Sequence, residues 1–140
     1  MKIKYQTTMI NTGARRGSAV SPDGSFILEM ASPIELGGDG IKSGTNPEQL
    51  FAATYSSCFG GALGLVLRQA KAEYESSRVS ATIFLLEEPA DKGNKLAAKI
   101  EVSIKGMPIE KAKKYAQLAH KICPYSKAIL GNVDVEIVVV

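Results

Sequence analysis

Between Glu48 and Arg68 the sequence carries no charged side chain. A stretch of that length is either a membrane span or the centre of a folded core, because an uncharged helix needs apolar surroundings on most of its sides. Gln49, Thr54, Ser56, Ser57, Gly60, Gly61 and Gly64 interrupt the run and make it poor material for lipid. It reads as a buried central helix, and no membrane partner is expected. Asn46 suits the N-cap, Pro47 the first helical position, and Gln49 can complete a capping box. The helix is expected to continue to about Tyr74, wrapped by other structure on every side. Gly60, Gly61 and Gly64 each cost about 1 kcal/mol relative to Ala. They mark where another helix or a partner subunit packs close to the backbone.

The flanking segments read as strands and one further helix. Residues 2–10 alternate, with Ile3, Tyr5, Thr7 and Met9 against Lys2, Lys4, Gln6 and Thr8, which predicts a strand. "SPDG" at 21–24 is a turn, with Pro presetting φ and Gly permissive at the end, and it leads into the strand "SFILEM". Residues 31–45 form a long glycine-rich loop of the kind that is often functional. It has neither the order of a Walker motif nor a G-x-G-x-x-G, which sets phosphate binding aside. Two strands follow, "RVSATIFLLEE" and "NKLAAKIEVSIKG", joined by the turn "PADKGN". The second places Leu96, Ala98, Ile100, Val102 and Ile104 on one face. A lysine-rich amphipathic helix is expected over 108–122 with Ile109, Ala112, Ala116 and Ala119 inward. "CPYSKAI" starts a new turn and "NVDVEIVVV" is a final strand. This order gives an α+β class, and a chain of 140 residues without repeats or linkers reads as one domain, 1–140.

Charge narrows the partners. The net charge is +3, the lysines are scattered, and there is no Trp. Nucleic acid is therefore not expected, since binding it needs a concentrated basic footprint. The N-terminus "MKIKYQTTMIN" has no apolar core of a secretory signal, so a cytoplasmic location is expected. Thiols are kept reduced there, and the two cysteines read as free, reactive or transiently paired.

Burial in an apolar helix disfavours ionisation of Cys58 and leaves it an inert small hydrophobe unless a fixed cation is near. An arginine ~4 Å away is worth about 4 kcal/mol at an effective dielectric near 20, enough to offset about three pKa units. A reactive Cys58 thus demands an arginine. Cys123 precedes Pro124, which ends one helix and can open another, so Cys123 falls near a helix N-terminus, where amide donors favour a thiolate. His120 is the only histidine and reads most simply as an exposed helical side chain. One His and two Cys fall short of a zinc set without a carboxylate, and no metal is expected. No nucleophile-elbow motif supports a serine triad.

"GTNPEQLFAATYSSCFGGAL" and, further on, "AHKICPYSKAILGNVDV" resemble the OsmC/Ohr family, in its organic hydroperoxide resistance branch. The likeness includes "GARRGSAVSPDG" and "PIELGG" and runs nearly end to end. It implies an OsmC/Ohr-like fold with antiparallel sheets around a long buried central helix, assembled as an intertwined homodimer. It also implies a thiol peroxidase that reduces organic hydroperoxides to alcohols and is recycled by a lipoylated protein, with no bound cofactor. By position, Cys58 matches the peroxidatic cysteine and Cys123 the resolving one. Arg15 matches the catalytic arginine and Glu48 the glutamate that holds it. Departures are Ala14 in place of the second glycine of G-G-R, Arg16 beside Arg15 as a rival for its role, and Thr54 and Ser57 near the nucleophile. Two other expectations compete: a non-catalytic apolar-ligand binder or redox sensor, and an OsmC-branch peroxidase of broader substrate range.

Overall fold

The computed structural model describes residues 1–40 and 43–140, which form two units, Met1–Leu50 and Phe51–Val140. In the first, β1 (Ile10–Thr12), β2 (Ser18–Val20) and β3 (Ile27–Glu29) make an antiparallel sheet in the order β1-β2-β3. A 3₁₀ turn at Ala14–Arg16 joins β1 to β2. Its entry needs left-handed backbone, with φ +81° at Gly13 and +51° at Ala14. Its exit needs Gly17, where a Cβ would run into the Thr12 carbonyl oxygen and lie 2.7 Å from the Gly13 Cα. "SPDG" forms the expected turn, with Gly24 at φ +73° and its N–H donating to the Ser21 carbonyl at 2.9 Å.

The strand expected over residues 2–10 is largely absent. Only Ile10 of it joins β1, and Ile3 and Tyr5 are exposed. Alternation alone does not make a strand; it needs a ladder, and no strand among the described residues pairs with 2–9. "SFILEM" likewise shortens to Ile27–Glu29, after which Met30 bridges Thr45. Of the glycine-rich loop 31–45, residues 41 and 42 lie outside the described residues.

The first helix, α1 (Pro47–Gln69), starts as its residues predict. Asn46 is buried and its Oδ1 accepts the Gln49 N–H at 2.7 Å. The reciprocal half of the capping box is missing, because the Gln49 side chain accepts from the Thr45 hydroxyl instead, at 2.9 Å. The helix ends at Gln69 rather than near Tyr74. The Ala72 N–H donates to Leu67 O and the Lys71 N–H to Arg68 O, with Lys71 at φ +49°. This is a Schellman ending with lysine where glycine is usual, so the sequence gives no stop signal there.

In the second unit, β4 (Ser76–Glu88) and β5 (Gly93–Lys105) form the expected hairpin, in register from Glu88↔Gly93 to Ser76↔Lys105. They are followed by α2 (Ile109–Ile122), α3 (Pro124–Ile129) and β6 (Asp134–Val139). β6 lies parallel to β5, so this sheet is mixed rather than antiparallel throughout. A crossover through α2 and α3 returns the chain in the same direction, as a parallel pair requires.

Tyr55, Phe59, Leu63 and Leu67 recur every fourth residue along α1. They share one core with Ile100 and Val102 of β5 and with Ala112, Ala116 and Ala119 of α2. Burying a side chain such as Phe59 or Leu63 contributes about 1.5–3 kcal/mol. α1 is long and apolar enough to cross a membrane, but its buried row packs in this core. It is not wrapped on every side, since Ala53, Ser57, Gly61 and Leu65 form an exposed row. A Cβ on Gly61 would meet nothing within 4 Å. Ile109 is also exposed, and Tyr115 takes an inward place on α2 that was not expected.

Candidate active site

Cys58 lies at mid-length on α1, one turn after the buried Tyr55 and directly before the buried Phe59. Cys123 is fully buried at the junction of α2 and α3, where its N–H donates to Ala119 O and its carbonyl accepts the Lys127 N–H. The expected helix start at Pro124 is present, which sets Cys123 just ahead of α3. The fold brings the two sulfurs to 3.5 Å although 65 residues separate them in sequence. Both are free thiols, Cys58 partly exposed and Cys123 enclosed.

Burial pushes the Cys58 thiol above its ordinary value. The Tyr125 backbone N–H opposes this by donating towards the sulfur, and the neighbouring Cys123 adds to the rise. The thiolate is thus the disfavoured form, as expected for a cysteine on an apolar helix. Two sulfurs in contact are poised for a disulfide, which needs them to close by about a further 1.5 Å.

Aromatic rings surround the pair. Phe51 stacks on Tyr55 with centroids 5.9 Å apart, and Tyr55 stacks on Tyr125 at 6.5 Å. The Tyr55 hydroxyl meets Ser126 Oγ at 3.0 Å, and Ser126 Oγ meets His120 Nδ1 at 2.9 Å. Burial raises the Tyr55 pKa, with charge on either cysteine adding to it, and burial lowers that of His120. Tyr55 is therefore held as the phenol. His120 is half-buried and hydrogen-bonded rather than an exposed helical side chain. The sequence reading missed Tyr55 and Ser126. The only signal for them was position, one helical turn from each cysteine.

In the first unit, Arg15 and Glu48 form a two-pronged pair, Nη1 to Oε2 at 2.9 Å and Nη2 to Oε1 at 2.7 Å. Such forks are stronger and more directional than single bonds. The guanidinium holds the Glu48 carboxyl below its ordinary value, and Glu48 raises Arg15 in turn. The Arg15 carbonyl accepts the Ser32 hydroxyl at 3.4 Å. Arg16 points elsewhere and donates to the Gly37 carbonyl at 3.3 Å. Of the two arginines, Arg15 is the partner of Glu48. Ala14 takes the left-handed backbone that glycine would adopt without strain, at a cost of about 1–2 kcal/mol. Among the described residues, no three His, Cys, Asp or Glu side chains cluster as metal ligands.

The OsmC-like protein family matches residues 37–138 of this chain. An organic hydroperoxide resistance protein-like 2 of Staphylococcus epidermidis is 48% identical over 133 residues, covering 95% of this chain and 93% of its own. A similar protein of Staphylococcus aureus is 40% identical over 138 residues, covering 98% and 96%. Among crystal structures, an organic hydroperoxide resistance protein OsmC from Legionella pneumophila superposes with a TM-score of 0.92 at 40% identity, covering 99% and 98% of the two chains. The organic hydroperoxide resistance protein OhrB of Bacillus subtilis gives 0.86 at 36%, covering 97% and 98%. With its end-to-end likeness in sequence and in backbone, the chain belongs to the OsmC/Ohr family, in the organic hydroperoxide resistance branch.

Proposed function

We propose that this protein is a cysteine peroxidase that reduces organic hydroperoxides to alcohols. The observation that carries this reading is the contact at 3.5 Å between a partly exposed thiol and a fully enclosed one, among aromatic rings. The names of its relatives, organic hydroperoxide resistance proteins, support the substrate class. The Cys58 thiolate attacks the distal peroxide oxygen, so an S–O bond forms as the O–O bond breaks. The alkoxide takes a proton and leaves as the alcohol. Cys58 is then a sulfenic acid. Cys123 attacks that sulfur, forming an S–S bond and expelling water. A lipoyl-type dithiol restores both thiols by exchange and closes to its own disulfide.

Arg15, held by Glu48, is the cation assigned to the Cys58 thiolate and to the departing alkoxide in this mechanism. The bidentate pair supports that role by fixing the guanidinium, since a fixed cation is what a desolvated thiolate needs. Hydrocarbon-bearing peroxides are preferred over hydrogen peroxide, each buried methylene contributing about 0.8 kcal/mol. The whole chain acts as one domain, in the cytoplasm, as a homodimer, and the exposed Ser57, Gly61 and Leu65 row of α1 suits a second copy. The experiment is a titration of the reduced protein with cumene hydroperoxide, followed by intact and peptide mass measurement, beside Cys58→Ser. Loss of two hydrogens with a Cys58–Cys123 peptide, and turnover when a lipoyl dithiol is supplied, is the expected result. Stoichiometric oxidation without turnover would make it a redox sensor or a ligand-binding protein instead.

A further inference from the structure

Three elements meet at one hydroxyl. Ser126 Oγ on α3 bonds Tyr55 OH of α1 at 3.0 Å and His120 Nδ1 of α2 at 2.9 Å. Tyr55 stands three residues before Cys58, Ser126 three after Cys123, and His120 three before it, so each lies one turn from a sulfur. Tyr55 is fully buried and Ser126 nearly so. Core packing alone would be met by Phe and Ala at these two places, because a buried hydroxyl left without a partner costs about 1–3 kcal/mol. The hydroxyls instead satisfy one another, and either order of donation serves all three groups. Cys123 sits where the chain turns from α2 into α3. Among the described residues, its sulfur has one hydrogen-bonding neighbour, Cys58. The distance between the sulfurs therefore depends on what ties the α2–α3 corner to α1.

We propose that Tyr55, Ser126 and His120 are positioning residues, whose shared hydrogen bonds at Ser126 Oγ hold the Cys123 sulfur within closing reach of Cys58 and so set how readily the disulfide forms. This rests on reading the two cysteines as a redox pair. Without the tie, the six-residue α3 and its corner are held to α1 only by packing and by the Tyr125 N–H donating towards the Cys58 sulfur, and the reduced thiols spend less time in contact. The disulfide then gains less from its surroundings, and the effective concentration of one thiol at the other falls.

The test is equilibration of the reduced protein in glutathione buffers of graded ratio, with the disulfide fraction read by alkylation and mass. It needs no peroxide and no turnover. Tyr55→Phe keeps the ring and its volume while removing only the hydroxyl, and it is the deciding variant. It is expected to lower the effective concentration about fivefold, the size of one net hydrogen bond, and Ser126→Ala, which removes both bonds, about thirtyfold. His120→Leu should act as Tyr55→Phe does, whereas His120→Asn, which keeps a polar atom near the Nδ1 place, should restore it. If Tyr55→Phe loses unfolding stability while its glutathione equilibrium stays within about twofold of the parent, the tie is packing only and the proposal fails. If the parent protein forms no Cys58–Cys123 disulfide in any buffer, the redox-pair reading itself fails, a different outcome from an unmoved variant.

Discussion

Oxidising the cysteine pair should raise the thermal stability of the protein by a predictable amount. Cys58 and Cys123 are 65 residues apart, and a loop of that length removes about 4 kcal/mol of chain entropy from the unfolded state at 25 °C. The sulfurs already touch at 3.5 Å, so little native rearrangement offsets the gain. For a chain of 140 residues the unfolding entropy is roughly 0.3 kcal/mol per degree. The melting temperature should rise by roughly 12–15 °C. Scanning calorimetry of the reduced protein and of the protein oxidised with diamide measures it, with Cys58→Ser taken through both treatments as control. A rise below about 4 °C would refute the reasoning, since it would mean that closure distorts the α2–α3 corner about as much as it restrains the unfolded chain. An equal rise in Cys58→Ser would refute the attribution to this pair.

Glu48→Gln should cost less than about 1 kcal/mol of stability, because the Arg15 side chain is 41% exposed and its ion pair is solvent-screened. Peroxide consumption should nonetheless slow by on the order of tenfold to a hundredfold as the guanidinium loses its two-pronged anchor; rapid-mixing kinetics on cumene hydroperoxide would show it, and an unchanged rate would remove Arg15 from the mechanism. Because the carboxyl of Glu48 is held below its ordinary value, the anchor is present above the usual glutamate range and lost only as pH falls through that lowered value. The depressed His120 pKa works on a different window. The unfolded chain takes up the His120 proton first as pH falls below about 6.5, so stability should decline from there until the lowered value in the folded protein is passed. Urea titrations of the parent and His120→Asn at several pH values check this, and the variant should show a shallower decline. Gly17→Ala should destabilise by about 1–3 kcal/mol, since its Cβ meets the Thr12 carbonyl and the backbone has to shift; an unchanged denaturation midpoint would show that the Arg15 turn tolerates a side chain.

Much of the framework was legible because it is encoded at short range. The Asn46 cap, the Pro47 start, the "SPDG" turn and the β4–β5 hairpin each depend on residues within a few positions of one another. The inward face of β5 follows from strict alternation, and Ala98, Ile100, Val102 and Ile104 are all buried. Two local readings failed, one for want of a local signal and one for want of a pairing partner. Lys71 ends α1 in a backbone state that usually announces itself with glycine, and residues 2–9 have a strand pattern but no neighbouring ladder among the described residues.

The sequence by itself determined that an uncharged helix would carry Cys58, that burial would raise its pKa, and that a reactive role would require an arginine. Those conclusions need only composition, periodicity and the energetics of a buried charge. Tertiary structure decided the rest. It set Cys58 against Cys123 across 65 residues and laid β6 parallel to β5. It chose Arg15 over Arg16 for Glu48 by the way the turn at Gly13–Gly17 aims each guanidinium. It also brought Tyr55, Ser126 and His120 to one point. Apart from the bond between His120 and Ser126, each of these is a contact between segments far apart in the chain. Spacing fixes which residues share a face of one helix, but which faces meet depends on how whole elements pack.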